Sequence, residues 1–198
     1  VSTPSTGTPG IGGVRVVTAH DVCTAIEALL TDHLPGWAAA AGLAAVRRWD
    51  QLPTPEALSA AATPAGAITS PGLTAPPTRR RGAYEATWRI AVAVYDRGSD
   101  HTDTQRRART WAALVRTVLI GHPHLGGLAR DLQWVGEDYA PIPGVGAART
   151  LGGCVVAVDV TVADVVPASA PPALGGPDPA PTVRATRSTV TVRPTLQE

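Results

Sequence analysis

Residues 121–127, Gly-His-Pro-His-Leu-Gly-Gly, put two imidazoles around a proline. Histidine pairs build metal centres and acid–base sites, so His122 and His124 are the first residues to weigh. A metal wants three or four ligands on rigid elements with supporting hydrogen bonds. The acids that follow, Asp131, Glu137 and Asp138, have no recognisable ligand spacing. A small metal-dependent hydrolase using His122, His124 and Asp100 is the enzymatic reading these residues allow. The competing reading is a helix end. Pro123 cannot continue a helix, Gly126 and Gly127 can take positive φ, and histidines suit the negative end of a helix dipole.

The other chemical candidates are thinner. Residues 96–103, Asp-Arg-Gly-Ser-Asp-His-Thr-Asp, gather three aspartates and His101, without the glycine and terminal glutamate of a calcium loop. They read as a capped helix start. Ser59, Ser70 and Ser99 lack the G-x-S-x-G context of a nucleophile elbow. Cys23 and Cys154 form neither a disulfide framework nor a zinc motif, and read as small buried hydrophobes. Glycine-rich stretches occur, but a phosphate loop needs a lysine, and the chain has none. No catalytic, cofactor or metal site is therefore expected. The sharpest charge cluster is Arg79, Arg80 and Arg81, in what reads as an exposed loop. With Arg106, Arg109 and Arg116 it forms the set of candidate contacts to an acidic partner or to DNA, against the bland alternative of solvated charge.

Composition bounds these options. The chain has 198 residues and a net charge of +1, which argues against a dedicated nucleic-acid binder. It lacks Lys, Asn, Phe and Met and is rich in Ala, Gly, Pro and Arg, as a GC-rich genome would dictate. The core must come from Val, Leu, Ile, Ala and five Trp. No apolar run reaches the ~18 residues of a membrane span, and the first residues do not resemble a signal peptide.

Hydrophobic periodicity places the elements. Residues 1–13 read as a flexible arm, and 14–166 as one domain. Val22, Ala25, Ile26, Leu29 and Leu30 share a helix face, with Thr18 as N-cap, Asp21 in the first turn, and Pro35-Gly36 as the stop. The stretch 37–46 is ambiguous and could hold another helical turn. Residues 65–70 read as a strand and 71–82 as a loop. Tyr84, Ala86, Trp88, Ile90, Val92 and Val94 alternate with polar or small residues, the mark of a long strand with one apolar face. A second helix follows, with a Thr102/Gln105 capping box and Asp100 and Asp103 at its start. Ala108, Trp111, Ala112, Val115, Val118 and Leu119 lie on its buried face and the arginines 106, 109 and 116 opposite. A third strand carries Leu132 and Trp134 inward, and a fourth lines up Cys154, Val156, Val158, Val160 and Val162. Residues 167–181 are a Pro/Gly/Ala linker. The last segment, 182–198, alternates again at Val183 and Ala185, then Val190 and Val192. It is too short for a core of its own, so it adds to a sheet, in its own subunit or a neighbour's, or stays disordered. The expected fold is α+β: a mainly antiparallel four-stranded sheet with both helices on one face.

In that order, the segments PAGAITSPGL, RGAYEATWRIAVAVYDRG, TQRRARTWAALVRTVLIGHPHLGG, LQWVGEDY and RTLGGCVVAVDVTV carry a family likeness. Across residues 18–165 the chain resembles the tail terminator, or tail completion, proteins of long-tailed siphovirus-type bacteriophages, especially those of actinobacteria. The matched features are structural. The resemblance implies a small α+β subunit, a homo-oligomer (a hexameric ring) and neither catalytic residues nor cofactors. Its implied partners are the tail tube protein and the head-side connector or head-closure protein, with DNA passing transiently through the ring and no membrane. The implied location is the virion tail or neck, after assembly in the host cytoplasm. A head-closure or neck adaptor and the tail tube subunit are neighbouring readings.

Overall fold

The structure, a computed structural model, describes residues 16–51, 63–80, 83–142, 151–163 and 165. The arm, linker and C-terminal extension expected at 1–13, 167–181 and 182–198 lie outside the described residues. The elements are α1 (Ala19–Ala40), β1 (Trp49–Asp50), β2 (Ala65–Leu73), β3 (Thr78–Arg80), β4 (Ala83–Arg97), α2 (His101–Gly121), β5 (Asp131–Ile142) and β6 (Leu151–Val162). The fold is α+β, with two helices on a mixed sheet of six strands. Four of the strands correspond to the four expected, with β2 longer than its expected 65–70; β1 and β3 are short additions. The order is β1-β2-β4-β6-β5, with β3 also on β4, and among the described residues only the β1–β2 pairing is parallel.

Alternation in β4 and β6 builds the centre. The two strands pair antiparallel from Ala86↔Val162 to Arg97↔Leu151. Directly opposed residues share a face. Trp88, Ile90, Val92 and Val94 therefore meet Val160, Val158, Val156 and Cys154 on one side, all buried. That surface cannot stay wet, and α1 and α2 cover it in a single core. The stripe Ala108, Trp111, Ala112, Val115, Val118 and Leu119 of α2 is buried as its period requires.

Helix α1 corrects one expectation. Thr18 caps it, and Asp21 completes the capping box, but Pro35-Gly36 does not stop it; the helix runs through Pro35 to Ala40. A proline here forfeits one backbone bond. The stripe Val22, Ile26, Leu30, Leu34, Ala38 continues past it at intervals of four, with Leu34 and Ala38 fully packed. Burial of that stripe outweighs the local penalty. The helix ends one turn later at Gly42 (φ +70°), where Gly42 and Leu43 donate to the carbonyls of Ala39 and Ala38.

Three further differences concern strands and caps. Residues 71–82 are not simply a loop: β2 runs on to Leu73 across a register shift, and β3 forms a hairpin with the start of β4. The cap of α2 is Asp100, accepting from the backbone N–H of Asp103, rather than Thr102. Trp134 lies on the helix side of the sheet, opposite Val158, yet stays 46% exposed. It belongs to β5, the last strand of the sheet, whose outer edge no further strand flanks among the described residues, whereas Leu132 is buried.

β1 had no legible signal, being two residues long, but it seats a ring. A Cβ built on Gly66 would fall 2.1 Å from Trp49 Cε3, so the indole lies flat on the β2 backbone. Gly66→Ala is expected to destabilise the fold by ~1–3 kcal/mol through overpacking. Gly36→Ala, in a helix with nothing within 4 Å of the new methyl, should instead stabilise by ~0.5–1 kcal/mol. Urea unfolding midpoints of the two variants check both signs.

Candidate functional site

The histidines belong to the turn after α2. His122 Nδ1 lies 2.9 Å from the Val118 carbonyl, and His124 Nδ1 lies 3.0 Å from that of Arg130. The His122 ring also packs on His33 of α1, with centroids 4.4 Å apart. Leu125 is buried and takes φ +44°; Gly126 and Gly127 follow at +67° and +93°. Asp100 stands at the other end of the 21-residue α2, about 30 Å away at 1.5 Å per residue. The structure therefore does not bring His122, His124 and Asp100 together. Among the described residues, no group of three or more His, Cys, Asp or Glu is placed to hold a metal ion. Burial pushes the Cys154 thiol up to about 12 and that of Cys23 upward too, so neither thiol is a ready thiolate.

The aspartates of 96–103 form a structural corner. Asp96, at the end of β4, is buried and accepts from Trp111 Nε1 at 3.0 Å and from Arg107 at 3.4 Å. Asp103 accepts from the Ser99 N–H, Arg107 and Arg106. These hydrogen bonds, the Ser99 one first, hold its carboxyl well below the usual carboxylate range. Gly98 sits so close to the Thr104 backbone (2.4 Å from a built Cβ) that no side chain fits. Three aspartates here are the means by which β4 turns into α2.

The six candidate arginines separate into different environments. Arg79 lies on the β3–β4 hairpin, opposite Tyr84, exposed and without an ion pair among the described residues. Arg80 is in the same strand; Arg81 lies outside the described residues. The hairpin starts beyond Ala86, where β6 pairing ends, so it extends past the body of the sheet. Arg106 pairs with Asp103 at 2.6 Å, within its own helix. Arg116 is not on a solvated outer face: it reaches β5 and binds Glu137 at 2.7 Å. The pair ties α2 to β5. Arg109 is exposed, without an ion pair among the described residues, and borders a groove of about 190 Å³ with His101, Gln105, Tyr139, Gly152 and Gly153.

The surface that sequence reasoning missed is β5. Trp134, Val135 and Tyr139 are 46%, 39% and 39% exposed on it, and no strand pairs with its outer edge among the described residues. Asp131, Glu137 and Asp138 make the strand acidic, with no basic residue from 131 to 142. One signal was available: Pro141 lies within the strand, and proline is tolerated mainly in edge strands.

No protein-family model matches the chain, and no curated protein matches it in sequence. Among solved structures, it is similar to a chain of the virion of a native gene transfer agent particle. That likeness has a TM-score of 0.44 and 12% identity, over 72% of this chain and 94% of the other. Among the described residues no helix is long and apolar enough to cross a membrane.

The Asp103 corner gives a pH dependence. Its folded pKa lies below the ~3.9 of an unstructured aspartate. The stabilisation is therefore present above pH ~4 and is lost as pH falls through the folded value. Asp103→Asn should lower the melting temperature at pH 7 and shrink the loss between pH 5 and 2, measured by thermal unfolding across that range.

Proposed function

We propose that the chain is a structural virion protein of a long-tailed bacteriophage, and within that class a tail terminator. It would form a ring, hexameric by the resemblance, that caps the tail tube, stops its polymerisation and joins it to the head-side connector. The role needs no catalytic group and no cofactor. The observation that carries the reading is that the family-like segments occur in one α+β body whose two sheet edges differ. One edge is the long acidic and aromatic β5; the other is the two-residue β1 on β2, and the Arg79 hairpin projects from the end of β4. A ring subunit needs two dissimilar lateral surfaces, since head-to-tail contacts close into rings only when different patches meet. The low net charge suits a conduit, because DNA that must pass through should not be held tightly.

Light scattering and negative-stain imaging of the purified chain, alone and with tail tubes, test this. The expected particle is a closed ring of about six 20.3-kDa subunits that sits at tube ends. A chain that stays monomeric at high concentration and with tubes present would overturn the reading. Unlimited polymerisation would assign it to the tube instead. Arg79→Glu, which breaks no ion pair of the described fold, should leave the melting temperature unchanged while weakening joining to the head side.

A further inference from the structure

The open edge of β5 presents two different faces to whatever lies beside it. Trp134 and Tyr139 stand opposite Val158 and Cys154, on the helix side, where Glu137, opposite Val156, is already paired with Arg116. Asp131, Gln133 and Asp138 stand opposite Thr161, Asp159 and Val155, on the other side. Neither Asp131 nor Asp138 carries an ion pair among the described residues: Asp131 accepts from the Gln133 amide and Asp138 from the Tyr139 N–H. A long edge with exposed aromatics is a template for another strand, and proteins seldom leave one unguarded. The occupant that fits must be extended, apolar on one side and basic on the other.

Residues 182–193, Thr-Val-Arg-Ala-Thr-Arg-Ser-Thr-Val-Thr-Val-Arg, have that pattern. Val183 and Ala185, then Val190 and Val192, alternate with Thr182, Arg184 and Thr186, then Thr189, Thr191 and Arg193. The segment holds three arginines, no acid, and mostly residues that favour strands. It has twelve residues, the length of β5. Its apolar positions change phase once, between Ala185 and Val190, as those of β5 do at the shift between Trp134 and Gly136. The tether is long enough. Sixteen residues separate Val165 from Thr182, a reach of up to ~50 Å extended. Val165 donates to the Tyr84 carbonyl of β4, and β5 lies two strands beyond β4, about 10 Å away at sheet spacing.

We infer that residues 182–193 add to the outer edge of β5 as a further strand, with valines beside Trp134 and Tyr139 and arginines beside Asp131 and Asp138. Main-chain bonds supply the affinity, and the two-sided pattern supplies the register. The inference stands independently of the ring reading, since the strand can come from the same copy or from an adjoining one; in the second case it would also link subunits.

Hydrogen exchange on the full chain tests it, comparing the wild type with Arg184→Glu/Arg187→Glu/Arg193→Glu. In the wild type the amides of residues 131–140 that do not bond to β6 should exchange slowly. In the triple variant they should exchange at least tenfold faster, with β4 unchanged as the control for folding. Adding Asp131→Arg/Asp138→Arg to the triple variant should restore protection by swapping the charges. Raising salt should speed exchange in the wild type, because the ion pairs are at the surface. Equal β5 exchange in wild type and triple variant would overturn the inference, as would protection that appears only when tail tubes or another protein are added. A monomer that keeps the protection would remove the ring reading and leave this one intact.

Discussion

The pairing of β4 with β6 is the constraint from which the rest follows. Two strands joined along their length put Trp88, Ile90, Val92, Val94, Cys154, Val156, Val158 and Val160 on one continuous apolar face. Without Phe or Met, this face is mostly β-branched, and such residues fill a pleated surface well but leave it in need of a complementary cover. The cover is α2, which leaves β4 through a short corner and returns across β4, β6 and β5, with α1 beside it. Trp111 binds the cover to the sheet twice: its ring is fully buried, and its N–H ends on Asp96. A buried indole N–H without a partner would cost about 1–3 kcal/mol, so this contact holds α2 to the end of β4.

Charge serves two separate purposes in the molecule. Arg89 with Asp159, Arg107 with Asp96, Arg116 with Glu137, and Arg130 with Glu85 tie separate elements together, while Arg107 with Asp103 is a pair within α2. The exposed pairs among them contribute little energy each, but they fix orientation and consume charge. What they leave is informative. Arg79 and Arg109 on one sign, and Asp131 and Asp138 on the other, have no ion pair among the described residues. A cluster of arginines along a sequence thus does not identify a binding surface; the geometry first assigns some of them to structural work.

Much of the architecture was legible because period is local. Alternation marked β4 and β6, the 3.6-residue period marked both helices, and Thr18 stood where a cap belongs. Leu125, Gly126 and Gly127 were legible as a turn for the same reason. The misreadings share a cause. Pro35 looked like an end because its local cost is visible in sequence, while the burial of Leu34 and Ala38 that offsets it is not. Trp134 looked internal because alternation reports which side of a sheet a residue is on, but not whether anything covers that side. β1 is too short for any periodic signal and exists because Trp49 finds Gly66.

The sequence alone determined the two helices, the four longer strands, the apolar faces of α1, α2, β4 and β6, and the absence of any recognisable catalytic motif, since these depend on spacing within a few residues. Strand order was decided only in three dimensions. It places β5 at the end of the sheet, brings Arg116 of α2 to Glu137 and leaves Arg79 exposed. Which edges remain unpaired is a property of the whole sheet, fixed by the competition among strands for neighbours. The surfaces available for assembly come from that competition, and no stretch of a few residues encodes its outcome.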